Sequence, residues 1–155
     1  MQLDSFYRRL LELAEQAGQA GEVPVAALLI KPTGDDFELV AEAANSIVSR
    51  RDPTAHAEMR VIRLAARRLG SERLPGTVLL STLEPCLMCS GAIVLSRITA
   101  IHFFARTSTG IGMSEILTPA ALLRLNHRPR WLHVEQYSQE AKERLQTFFA
   151  ERRGK

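Results

Sequence analysis

Apolar residues recur at three- and four-residue intervals through the first twenty positions: Leu3, Phe6, Leu10, Leu13, Ala14 and Ala17 share one helical face. Gly18 and Gly21 follow where such a helix should stop. The pattern then changes. VPVAALLIK (23–31) is a short apolar run with β-branched members, PTGDD reads as a turn, and FELVAEAAN (37–45) returns, which predicts a hairpin. Asp52-Pro53-Thr54 supplies a capping pattern for a helix over 54–69, with Met59, Ile62, Ala66 and Leu69 as its apolar stripe. Arg60, Arg63, Arg67 and Arg68 fall on the other face.

TVLLST (77–82) and AIHFFA (100–105) read as buried strands, and CLMCSGAIVLS (86–96) as an apolar and therefore buried helix between them. TSTGIGMSE (107–115) lacks periodicity and is the candidate functional loop. Beyond it the pattern predicts a short helix over 119–125, a strand at RWLHVE and a last helix with Ala141, Leu145, Phe148 and Phe149 on one face. Helices interleaved with strands imply a sheet covered on both faces, an α/β sandwich.

Composition sharpens this picture only in part. A chain of 155 residues, 46% of them hydrophobic, is sized for one domain spanning 1–155 with a continuous core. No apolar run reaches the ~18 residues of a membrane span, and the N-terminus lacks a signal-peptide pattern, so a cytoplasmic protein is expected. The net charge is only +3, but all except three of the 20 basic residues are Arg, whose planar fork suits phosphates and bases. That is consistent with a nucleic-acid partner and equally with an ordinary solvated surface. The two cysteines, Cys86 and Cys89, are too few and too close to staple a secreted fold.

Those cysteines carry the chemistry. A CxxC in the first turn of a helix puts both sulfurs on one side, where the helix N-terminus favours thiolates. His56 and Glu58 open the preceding helix, in PTAHAE. One imidazole and two thiolates are good zinc ligands and leave a fourth tetrahedral position free, the arrangement of a catalytic zinc. Glu58, two residues from a ligand, stands near enough to move protons between a water in that position and a leaving amine. Read alone, the CxxC also fits a redox pair, and a closed structural zinc would need a fourth ligand from His102, His127 or His133.

PTAHAE followed by EPCLMC resembles the zinc-dependent cytidine and deoxycytidylate deaminase superfamily, whose H-x-E…P-C-x-x-C signature matches here residue for residue. Within it, GEVPVAALLI, Asn45, STLEPCLMCSGAIVLSRI, FARTSTG, LNHRP and the terminal FFAERR are similar in order and spacing to bacterial tRNA adenosine deaminases. The resemblance implies a three-layer α/β/α fold around a five-stranded mixed sheet, with one zinc per chain on His56, Cys86 and Cys89 and Glu58 as proton shuttle. It further implies adenosine-to-inosine conversion at the wobble position of a tRNA anticodon loop, and a homodimer. Asn45, the Ala57 N–H and Arg106 would contact the nucleotide. Phe148, Phe149, Arg152 and Arg153 would suit stacking and phosphate contacts, although an FF pair on an amphipathic helix is also an ordinary core feature.

Two departures stand out: Thr107 replaces the Asp usual after FAR, and Ala26 stands where glycine is usual. They keep open a second reading, a deaminase of a free guanine, guanosine or cytosine. A non-catalytic RNA-binding subunit that keeps zinc for stability is a third.

Overall fold

The computed structural model describes residues 2–153. Helix α1 (Leu3–Gln19) leads into the hairpin β1 (Ala26–Thr33) and β2 (Asp36–Ala44), and a single turn, α2 (Ile47–Arg50), precedes α3 (Ala57–Leu69). Then follow β3 (Val78–Leu83), α4 (Leu87–Leu95), β4 (Ala100–Ala105), two short helices α5 (Met113–Ile116) and α6 (Pro119–Leu123), β5 (Arg130–His133) and α7 (Ser138–Arg153). The five strands form one sheet in the order β2-β1-β3-β4-β5. The pairs β2/β1 and β1/β3 are antiparallel while β3/β4 and β4/β5 are parallel, so the sheet is mixed, as expected.

Strand β1 shows why the fold has three layers. Because side chains alternate across a strand, Ala26, Leu28 and Ile30 meet Phe6, Leu10, Ala14 and Ala141 on the α1/α7 side. Ala27 and Leu29 meet Val61, Ala65 and Ile93 on the α3/α4 side. Both faces are buried, which is why the strand reads as a continuous apolar run and not an alternating one. The register shifts between Leu29 and Ile30, opposite Val40. Arg68 fixes that irregularity by donating to the Val40 carbonyl at 2.9 Å, and Arg60 donates to the Ala44 carbonyl at 2.5 Å. Two of the four arginines on the polar face therefore bind α3 to the edge strand.

Three expectations need correction. The helix predicted over 54–69 begins at Ala57, because Asp52 accepts from the Thr54 N–H and hydroxyl at 2.8 and 2.7 Å and so shapes the preceding turn instead of capping the helix. Its buried residues are Ala57, Glu58, Val61 and Ala65; of the predicted stripe Met59, Ile62, Ala66 and Leu69, Ile62 packs partly buried against the core, and Leu69 is exposed. Helix α4 is apolar without being wholly buried: Leu87 and Leu95 are 67% and 81% exposed. Leu87, Gly91 and Leu95 are spaced four apart, so they form one outward stripe without charge.

Leu29 is fully buried on the interior strand β1, so Leu29→Ala leaves a cavity in the core between the sheet and α3/α4. It is expected to lower unfolding free energy by about 2–5 kcal/mol in a urea titration of the zinc-loaded protein.

Candidate active site

The site is built where two helices begin. His56 is the N-cap residue of α3 and Cys86 that of α4, with Cys89 in the first turn of α4; neither cap residue uses its side chain to cap its helix. Both ligand-bearing turns therefore present positive helix ends to one point, which favours thiolates there. His56 Nδ1 lies 3.7 Å from Cys86 Sγ and 3.6 Å from Cys89 Sγ. Zinc bonds of ~2.3 Å to sulfur and ~2.05 Å to nitrogen at the tetrahedral angle would set nitrogen and sulfur about 3.6 Å apart. The three donors thus already stand at zinc-binding separation, all within 4.8 Å of one another.

Protonation follows from the same contacts. The Cys86 thiol is lowered to about 4, first by the hydrogen bond from Cys89 and then by His56. Cys89 is pushed well up by holding that proton and by burial. His56 is raised by its bond to Cys86. No fourth protein ligand joins them among the described residues. His102 pairs with the Tyr7 hydroxyl on the α1 side of the sheet, while His127 and His133 reach the carbonyls of Ile98 and Phe104. None of these three histidines joins His56, Cys86 and Cys89.

Glu58, in the first turn of α3, is 3% exposed, and burial raises its carboxyl above the usual range. Oε2 stands 3.7 Å from Cys89 Sγ, and Ser81 Oγ, on β3, lies 3.0 Å from Oε1. The Ser81 hydroxyl also lies 2.8 Å from the Leu83 carbonyl. It can donate to an ionised Glu58, or donate to Leu83 while accepting from a protonated Glu58, so either state of the carboxyl finds a partner.

Around this centre lies a cleft of about 790 Å³, lined by Asn45, His56, Glu58, Glu84, Cys86 and Arg106 and by the loop residues Thr107, Ser108 and Thr109. Asn45 Oδ1 accepts the Ala57 N–H at 2.7 Å, giving α3 its first cap and leaving the Asn45 amide NH2 as the donor available in the cleft. The Ala57 N–H expected to meet the base is engaged by Asn45. Helix α7 forms the opposite wall through Lys142, Leu145, Gln146, Phe149 and Arg153, spaced as one helical face.

Phe148 and Arg152, expected as substrate contacts, are not among the residues that line the cleft. Phe148 is buried, and the Arg152 guanidinium lies 3.5 Å from its ring centroid while donating to the Gly21 carbonyl. Arg106 and Arg153 do line it, whereas Lys142 and Gln146 went unnoticed in the sequence. Their signal was the spacing 142, 146, 149, 153, which competes with the apolar stripe on the same helix.

Three side chains that would hold zinc, with the buried Glu58 carboxylate next to them on a mixed sheet covered by helices, fit a zinc-dependent hydrolase. The comparisons give the family. Residues 1–105 match the cytidine and deoxycytidylate deaminase zinc-binding region, and the chain belongs to that family. It is 42% identical over 145 residues to the tRNA-specific adenosine deaminase of Aquifex aeolicus, covering 93% of this chain and 91% of that one. It superposes at a TM-score of 0.78 and 34% identity on a structure from studies of A-to-I editing by tRNA:A34 deaminases at the wobble position of transfer RNA, covering 92% of this chain and 99% of that one. It is also similar to Bacillus subtilis guanine deaminase, at a TM-score of 0.63 and 36% identity over 68% of this chain and 66% of that one.

Zinc must displace the proton that Cys89 retains, so affinity is expected to fall as pH drops, by roughly tenfold per unit for each proton displaced. Competition against a chromophoric chelator between pH 6 and 8 measures it. Affinity independent of pH would contradict the thiol assignment.

Proposed function

We propose that this chain deaminates adenosine to inosine at the wobble position of tRNA, with Glu58 as the proton shuttle. The observation that carries the reading is Glu58, buried and hydrogen-bonded to Ser81 beside three zinc donors and no fourth. Zinc held by His56, Cys86 and Cys89 supplies a Lewis acid that brings the pKa of a bound water toward ~7. Glu58 accepts the proton of the attacking water and delivers it to the exocyclic nitrogen, so that water adds at C6 and ammonia leaves. The Asn45 amide orients the base, and Arg106, Phe149 and Arg153 line the path of the flanking nucleotides, as stacking surface and phosphate donors. A target inside a stacked duplex could not enter a cleft whose reactive centre lies between two helix ends, whereas an anticodon loop offers splayed bases.

The polynucleotide substrate rests on the cationic wall of Arg106, Lys142 and Arg153, which exceeds what a neutral free base requires. The likeness to a guanine deaminase supports the second reading, a free nucleobase or nucleoside, and substrate panels separate the two. We place the enzyme in the cytoplasm; among the described residues no helix is long and apolar enough to cross a membrane. A homodimer is supported by the uncharged outward stripe Leu87, Gly91 and Leu95 on α4.

Glu58→Ala is expected to reduce inosine formation in an anticodon stem-loop by at least about 10²-fold while one zinc per chain is retained. Wild-type turnover in that variant would remove the shuttle, and turnover of guanine or cytosine in place of the stem-loop would establish the second reading. Leu95→Glu is expected to shift sedimentation from dimer to monomer; an unchanged sedimentation coefficient would exclude the α4 stripe as the interface.

A further inference from the structure

One buried carboxylate at the cleft takes no part in the chemistry just described. Glu84, between β3 and Cys86, is 4% exposed and lies outside the metal-ligand cluster. Its oxygens accept from the loop that follows β4: Oε2 from the Thr107 N–H at 3.3 Å, and Oε1 from the Ser114 N–H at 2.9 Å and the Ser114 hydroxyl. All three partners are donors. Main-chain bonds reinforce the junction, since the Glu84 N–H donates to the Ala105 carbonyl at 2.8 Å and the Met113 N–H to the Pro85 carbonyl at 2.9 Å.

Gly112 gives an independent indication. A Cβ there would lie 2.6 and 2.7 Å from the Glu84 carboxylate oxygens, closer than atoms tolerate. Its φ of −87° suits any residue, so what glycine gives here is room: a Cβ would push the Glu84 carboxylate aside. The loop backbone is packed directly against the carboxylate, and the segment it pins carries Thr107, Ser108 and Thr109 along the cleft wall.

We propose that Glu84 is a positioning residue that clamps the 107–114 loop to the start of the zinc-ligand helix, fixing the cleft wall that receives the polynucleotide. The inference rests on the cleft being the nucleotide site. It also accounts for Thr107 in place of an acidic residue: the Thr107 N–H is held by a carboxylate from another segment, and its hydroxyl donates to the Thr109 carbonyl at 2.7 Å, closing the turn on itself. A glutamine at position 84 would set an N–H against a donor whichever way its amide turned. The geometry therefore requires an acceptor-only side chain.

The test uses the full-length zinc-loaded protein with two variants, Glu84→Gln and Gly112→Ala; the second keeps the charge and displaces the carboxylate from the loop side. Three quantities are read: zinc per chain, hydrogen exchange at the Thr107 and Ser114 amides, and KM and kcat on an anticodon stem-loop. Both variants are expected to keep one zinc per chain, to lose about tenfold or more protection at those two amides, and to raise KM about tenfold with kcat within about threefold. Unchanged exchange at both amides overturns the clamp. So does a defect confined to kcat, and so does loss of zinc, which would show that Glu84 acts through the metal ligands. If the wild type leaves the stem-loop untouched, the function proposal fails, while the exchange measurement still decides the clamp.

Discussion

The arrangement that everything else depends on is the meeting of two helix N-termini beside the central strands. The start of α3 brings His56 and Glu58, the start of α4 brings Cys86 and Cys89, and the three zinc donors lie within 4.8 Å of one another. Holding an imidazole, two sulfurs and a carboxylate so close would be costly if the helices could drift. They are fixed by packing. Ala57, Val61 and Ala65 seat α3 on the sheet, and Ile93 and Val94 seat α4 in the same core. The Asn45 cap on the Ala57 N–H sets the rotation of the first turn, and Ser81 sets the carboxylate. Preorganisation of this kind keeps the cost of assembling the site out of the binding step.

Chemistry and recognition are carried by different layers. The α3/α4 layer supplies the zinc donors and Glu58, whereas α7, from the opposite layer, supplies Lys142, Gln146, Phe149 and Arg153 as a second wall. The loop after β4 closes the third side. The zinc donors and Glu58 thus come from one layer, and the rest of the cleft is lined by α7 and by the loop. Arg152 shows the division within one helix: its neighbour Arg153 faces the cleft, while Arg152 itself covers Phe148 and ties α7 to the end of α1 through Gly21.

Much of the centre was legible in the sequence because its information is local. HAE and PCxxC place side chains by their position in a first helical turn, and the strand–helix–strand order brings the two turns to the same edge of the sheet. The apolar run of β1 and the periodicity of the first helix were legible for the same reason. What failed depends on distant partners. The face that α3 buries is set by alanines fitting a strand from another segment, and the cap expected of Asp52 is made by Asn45, twelve residues before the helix start at Ala57. Phe148 and Arg152 looked like substrate contacts, since aromatic and guanidinium groups suit RNA, yet only the docking of α7 on α1 decides which face meets the cleft. The anchoring of the 107–114 loop by Glu84 was likewise invisible, because it joins residues about twenty-three to thirty apart in sequence.

The central claim, a zinc held by three side chains with one corner left to solvent, is tested most directly by X-ray absorption at the zinc edge. Two sulfur scatterers near ~2.3 Å and two lighter ones near ~2.0 Å are expected, one of the latter being His56 and the other exchangeable for an added small anion. A third sulfur, or four scatterers that no added ligand displaces, would contradict the account.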